Sequence, residues 1–326
     1  MRFKKILPFE PLAKLSFCRF WGSFELFFDR LKGDKIRKLI LSPFKRSKNS
    51  QNNPQNRRSL SFATGSRGFF RCLALLLLLG SAGCAKPKNS LKIAATAIPH
   101  AQMLEHVKKE LGEQGIYLDI IVVDDYNVPN LALSNGDIDA NFFQHIPFLQ
   151  EQIQHFHYPI KPLASIHIEP MVVYSKKIHS LKDLSQQAVI TVPNDPTNEA
   201  RALRLLQKQG LIEIEGEGEN ITVKNISSNP LNLRIKEIDA AMLPRTLEDA
   251  QASVIPTNFA LQAGLSAKKE GLAIEDKEND PYINVIVIRD DEEDREELLL
   301  LKKSMTSESM RRFILETYQG AVVPVF

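Results

Sequence analysis

Two places in the chain hold residue types whose spacing points to chemistry. The first is Cys84, which closes the tetrad Ser81-Ala82-Gly83-Cys84 directly after the apolar run from Cys72 to Gly80. Arg67 and Arg71 give the run a basic start, and the small residues leave the bond before Cys84 open to a peptidase. A thiol there can take a thioether-linked lipid, and the amine freed by cleavage can take a further acyl chain. Two chains anchor stably where one binds marginally. The run is too short to span a bilayer permanently, so it reads as a lipoprotein signal. An ordinary cleaved signal and a short buried helix are the alternatives. The lipoprotein reading places everything after Cys84 outside the cytoplasm, tethered to a membrane and facing the periplasm or the cell exterior.

The second place is Arg201, in the first turns of a helix that opens after Pro196-Thr197-Asn198. Thr197 or Asn198 can cap that helix, whose N-terminus favours an anion. A guanidinium added there suits a carboxylate, which it grips through two parallel hydrogen bonds; a surface salt bridge is the other reading. Aromatic and polar groups stand at the ends of expected strands. Tyr126 follows the second strand, and Phe143, Gln144 and His145 follow the third. Strand ends are where an α/β protein presents its cleft.

The positioning elements alternate. Strands are expected over 91–95, 117–123, 137–143, 188–192, 221–223, 240–243 and 282–289. Helices are expected over 101–115, 130–134, 147–155, 198–209, 231–236, 297–304 and 308–318. The β-rich stretch LASIHIEPMVVY, 163–174, is interrupted by Pro170, which suits a strand crossing between two sheets. The alternation is that of an α/β architecture with mainly parallel sheets. Two such series joined by a broken crossover strand imply two lobes and a cleft, a common place for a small ligand.

Charge and cysteine usage narrow the function classes. The net charge of +3 hides a split: residues 1–83 carry 17 Lys/Arg against 4 Asp/Glu, and residues 84–326 carry 25 against 35. The acidic remainder argues against nucleic acid as a partner. Its one cysteine is Cys84, so it has neither an internal disulfide nor a thiolate metal site. No G-x-S-x-G elbow, phosphate loop or H-E-x-x-H pair occurs, and no catalytic residue or cofactor is expected. His155, His157 and His167 make a metal site conceivable, but solvated or packed histidines are the plainer reading, and no metal is expected. The carboxylate-rich stretches 213–219 and 290–297 read as solvated surface.

Several blocks, in order, carry a resemblance. They are Asp125-Tyr126-Asn127-Val128-Pro129-Asn130, the continuation from Leu131 through His145, Tyr174-Ser175-Lys176-Lys177, and Val192 through Asn198. Leu243-Pro244-Arg245 and Asp276-Lys277-Glu278 follow. Over roughly 92–323 the chain resembles the methionine-binding lipoproteins of ABC importers, the MetQ/NlpA family. The resemblance implies a type II periplasmic-binding-protein-like fold, with an amino acid clamped between two lobes. It implies that Tyr126, Phe143 and His145 surround the methionine side chain. Arg201 would bind the α-carboxylate, and Asn284 would hydrogen-bond the backbone groups of the ligand. Aromatic walls suit a polarizable thioether, and a buried zwitterion needs a cation and fixed amides. One departure stands out: Pro256, in Val254-Ile255-Pro256-Thr257-Asn258, occupies the place of a ligand-contacting asparagine. It marks a different ligand or a compensating contact from Asn258.

The expected organisation is an uncertain extension over 1–66 and a signal peptide over 67–83. A linker over 84–90 leads to lobe 1 over 91–172, lobe 2 over 173–281 and a return to lobe 1 over 282–326. A secretory signal normally begins a chain, so a mis-assigned start is the preferred account of residues 1–66; a cytosolic tail and a long signal are the alternatives. The expected function is a non-enzymatic, lipid-anchored receptor that hands methionine, L or D, to an ABC permease and ATPase. The alternatives are a receptor for another amino acid or short peptide, and a surface interaction lipoprotein that kept the fold.

Overall fold

The structure is a computed structural model. It describes residues 89–216, 218, 221–276 and 281–326; Cys84 and all of 1–83 lie outside them.

The first half alternates as the periodicity requires. Strand β1 (Ser90–Thr96) leads to helix α1 (Gln102–Glu113), whose Met103, Leu104, Val107 and Leu111 are buried on one face. Strand β2 (Tyr117–Val123), helix α2 (Val128–Ser134), strand β3 (Ala140–His145) and helix α3 (Ile146–Phe156) follow. The β-rich stretch splits at Pro170 into β4 (Ile160–Ile168) and β5 (Val172–Tyr174). The two pieces belong to different sheets, because proline cannot supply the ladder N–H that a continuous strand needs.

Beyond β5 come β6 (Val189–Pro193), α4 (Pro196–Lys208), the short pair β7 (Glu213–Ile214) and β8 (Ile226–Ser228), and β9 (Arg234–Ile238). Then follow α5 (Leu243–Thr246), β10 (Ala252–Ile255), α6 (Thr257–Gln262), α7 (Ala267–Glu270) and β11 (Gly271–Ile274). The chain closes with β12 (Ile283–Arg289), α8 (Glu296–Met305), α9 (Glu308–Tyr318) and β13 (Val323–Pro324).

One sheet has the order β13-β4-β12-β3-β1-β2 and the other β11-β5-β10-β6-β9. Each has a core on both faces. Ile93, Phe142 and Ile286 pack with Met103, Leu301 and Ile314 on one side of the first sheet. Ala94 and Val285 pack with Leu133 and Leu149 on the other. In the second sheet Val192 and Val254 meet Leu203 and Leu206, while Tyr174 and Ile255 meet Leu243 and Phe259. These are two α/β lobes, each a sheet covered by helices.

Four readings need correction. The sheets are mixed rather than mainly parallel. β1 pairs in parallel with β2 and β3, and β6 with β9 and β10, but β4, β12 and β13 in the first sheet and β5 and β11 in the second pair antiparallel. The strand expected at 221–223 is a turn over Val223–Asn225, capped by Thr222, with β8 beyond it. The helix expected at 231–236 is the edge strand β9, whose charged, mostly exposed RIKEI mimics a helical surface. The strand expected at 240–243 is a helical turn, because the Asp239 carboxylate accepts from the Ala241 N–H and starts one.

Gly271 opens β11 where α7 meets β5. A Cβ built there would collide with the carbonyl of Ala267 and come within 2.9 Å of Val172 Cγ1. Gly271→Ala is expected to destabilise the protein by about 1–3 kcal/mol. Urea unfolding measures this, and an unchanged midpoint would contradict the packing described.

Candidate ligand-binding site

The junction between the lobes is built from strand ends and helix starts. His145 ends β3 and caps α3: its Nδ1 accepts the Phe148 N–H at 3.1 Å. That leaves Nε2 as the protonated nitrogen, and it donates to Asn198 Oδ1 at 3.1 Å. Asn198 Nδ2 in turn donates to both Asp195 oxygens, at 3.0 and 3.2 Å. Asp195, not Thr197 or Asn198, is the cap of α4; it accepts the Asn198 N–H at 3.0 Å, with Pro196 at the first helical position. A line of hydrogen bonds thus runs from α3 in one lobe to α4 in the other. Tyr126 makes a second bridge, its hydroxyl donating to Asn258 Oδ1 at 2.7 Å.

All five residues expected at the site line one cavity: Tyr126, Phe143, His145, Arg201 and Asn284. Tyr126 has its ring 5.9 Å from Phe143, 5.8 Å from Phe148 and 5.1 Å from Phe259, which makes an aromatic wall. Asn284 sits on β12 opposite His145 of β3 and His167 of β4, and its Oδ1 meets His100 Nε2 at 3.2 Å. The cavity is about 20 Å³, room for about one water. An amino acid does not fit among the lining side chains in this arrangement.

Arg201 is buried, and its guanidinium already carries a carboxylate. Nε lies 2.9 Å from both Glu275 oxygens, and Nη2 donates to Glu275 Oε2 at 2.5 Å and to the Glu169 carbonyl at 2.7 Å. The Tyr282 ring lies 4.2 Å beneath the guanidinium. The pair is interior, not the surface salt bridge that the sequence left open. Pro256 also lines the cavity, two residues before Asn258.

A profile of the NlpA lipoprotein family matches residues 91–326. The chain belongs to the NlpA lipoprotein family. It is 39% identical over 257 residues to the D-methionine-binding lipoprotein MetQ of Escherichia coli K12, covering 77% of this chain and 94% of that one. The methionine-binding lipoprotein MetQ of Bacillus subtilis is 35% identical over 248 residues, 74% of this chain and 90% of the relative. A nutrient-binding protein from Burkholderia cenocepacia, solved bound to methionine, is 42% identical with a TM-score of 0.70. That match covers 72% of this chain and all of the other. The two-lobed fold is that of these periplasmic binding proteins. Among the described residues of this NlpA lipoprotein, no helix is long and apolar enough to cross a membrane.

The sequence reading missed the floor of the cavity. His100 Nδ1 lies 2.6 Å from the Thr96 hydroxyl, and its Nε2 faces Asn284 Oδ1 at 3.2 Å and Glu169 at 3.4 Å. His167 Nε2 lies 2.7 Å from the same Glu169 oxygen. Burial holds His100 down to about 4, with His167 and His145 down to about 3, and it pushes Glu169 up. His155 and His157 are exposed; the histidines that gather are His100 and His167. A lone carboxylate in the apolar run 163–174 was the available signal. Its meaning depends on His100, 69 residues away in sequence.

The buried histidines carry a pH dependence of defined sign. His167 ionises near 6.5 when unfolded and near 3 when folded. The unfolded chain therefore binds the extra proton between those values, and stability present above pH 6.5 is lost as pH falls. His167→Phe is expected to lose less stability than the native protein between pH 7 and 5, by up to about 1.4 kcal/mol per pH unit. Urea unfolding across that range decides it; parallel pH curves would refute a neutral buried His167.

Proposed function

We propose that this NlpA lipoprotein is the non-enzymatic solute receptor of an ABC importer, lipid-anchored at Cys84, and that its solute is methionine. The supporting observation is one cavity that joins an aromatic wall to a buried polar end. Aromatic rings suit the thioether. The polar end answers the zwitterion, whose burial without partners would be costly. In this reading Tyr126, Phe143 and His145 enclose the side chain. Arg201 takes the α-carboxylate, which must share or displace Glu275, and Asn284 bonds the head group. Lobe 1 comprises 91–172 with 282–326, and lobe 2 comprises 173–281.

Closure follows from differential affinity. A ligand touching both lobes favours the closed state by as much as it binds that state better. The closed receptor then docks on the permease and ATPase, and no bond is made or broken. Names among the relatives include both D-methionine-binding and methionine-binding lipoproteins, and either enantiomer fits the proposal. Pro256 on the cavity wall favours a second reading, a receptor for another amino acid or a short peptide.

Calorimetric titration of ligand-stripped protein with L-methionine, D-methionine and other amino acids tests the proposal. Sub-micromolar methionine binding is expected, weakened at least about 100-fold in Arg201→Ala. Binding of a different solute in place of methionine would overturn the choice of solute. Methionine binding unaffected by Arg201→Ala would overturn the carboxylate assignment.

A further inference from the structure

The crossover between the two sheets has a second face. Glu169 and Asn258 line the cavity between the lobes, while their neighbours Pro170 and Thr257 line a larger cavity behind it. Thr257 reaches both spaces, and its hydroxyl donates to the Pro170 carbonyl at 2.5 Å, so a hydrogen-bonded layer stands between them. The rear cavity measures about 690 Å³, the size of a small-molecule site.

One wall runs from α6 to β11, and the other is 317–321, where α9 ends. Val172, Leu261, Leu265 and Ile274 make the lining largely apolar, and Ile274 is left 42% exposed. The polar groups of the far wall are already met. The Tyr318 hydroxyl lies 3.2 Å from the Pro99 carbonyl and 2.9 Å from Gln102 Oε1, and the Gln319 and Ala321 N–H groups donate to the Leu315 and Tyr318 carbonyls. What remains is charge. Lys268 and Lys269 line the cavity, neither has an ion pair among the described residues, and no carboxylate lines it. Glu270, beside them, turns its carboxylate to the Ser266 N–H at 2.8 Å. The cavity is thus positive within an acidic stretch, since residues 84–326 carry 25 Lys/Arg against 35 Asp/Glu.

We propose that the rear cavity is a second binding site, for a single-chain amphiphilic anion of the medium-chain fatty carboxylate class. The apolar tail covers Leu261, Leu265 and Ile274, and the carboxylate meets the ammonium groups of the two exposed lysines. Each methylene taken out of water favours the tail. Two ammonium groups with no carboxylate to answer them favour an anionic head over a neutral or cationic one. The site is separate from the solute cavity and does not depend on which solute that cavity takes.

The test is calorimetric titration of the full, ligand-stripped chain with octanoate, decanoate and dodecanoate, each below its micelle concentration. Affinity should rise about fourfold per added methylene. 1-Decanol, with the same tail as decanoate and no charge, should bind about fivefold more weakly or worse. Lys268→Gln combined with Lys269→Gln should remove that difference while leaving 1-decanol binding and the melting temperature unchanged. Ala321→Trp, which fills the cavity from the far wall, should abolish decanoate binding; if that variant does not fold, the lysine variant and the tail-length series decide. Absence of decanoate binding overturns the proposal. So do equal affinities for decanoate and 1-decanol, or an affinity that ignores tail length. Decanoate that is displaced by saturating methionine and unaffected by the lysine changes lies in the front cavity, which also overturns it. Attachment of the protein to phosphatidylglycerol vesicles, undiminished by decanoate, would assign the lysines to a membrane surface and overturn it as well.

Discussion

Polar groups taken out of water at the junction of the two sheets must each find a partner, and that requirement organises the molecule. His145 shows it at its simplest. One imidazole caps α3, and the nitrogen left over fixes Asn198 at the start of α4 in the other lobe. Asn198 is held in turn by Asp195. Three side chains thus satisfy two helix starts and link one lobe to the other. The two cores supply the stability of each lobe; the junction supplies their register.

The same accounting explains why the cavity is polar at one end. Asn130 of α2 and Asn141 and Gln144 of β3, all buried, hydrogen-bond one another at 2.6–2.9 Å. On the floor, by contrast, Asn258 Nδ2 and His167 Nδ1 are buried with no partner among the described residues. A fully paired network rigidifies a fold, whereas an incompletely paired one at a cavity is where binding energy can be gained. The aromatic wall of Tyr126, Phe143 and Phe148 adds apolar area without adding polar demands.

Much of the fold was legible because it depends on local periodicity. The strand Tyr117–Val123 and the helix Glu308–Tyr318 match their expected limits residue for residue, and the break at Pro170 follows from its missing N–H. The failures share a cause. β9 is an exposed edge strand with charged residues at helical spacing, and the turn at Ala240–Met242 depends on the single carboxylate of Asp239. Each puts only one or two apolar residues against a core, too few to reveal its period. The antiparallel return of β12 was illegible for another reason: pairing direction depends on which strands the chain re-enters between.

The sequence by itself determined the alternation of elements, the proline-broken crossover, the family, and the residue types that meet at the lobe junction. Those are properties of short stretches and of their order along the chain. Only the tertiary structure decided what each polar group faces. It set Arg201 against Glu275 rather than solvent, brought His100 across 69 positions to Glu169, and left Asn258 with a donor to spare. Burial and hydrogen bonding depend on neighbours distant in sequence, so pairing at the floor of the cavity becomes visible only once the chain has folded.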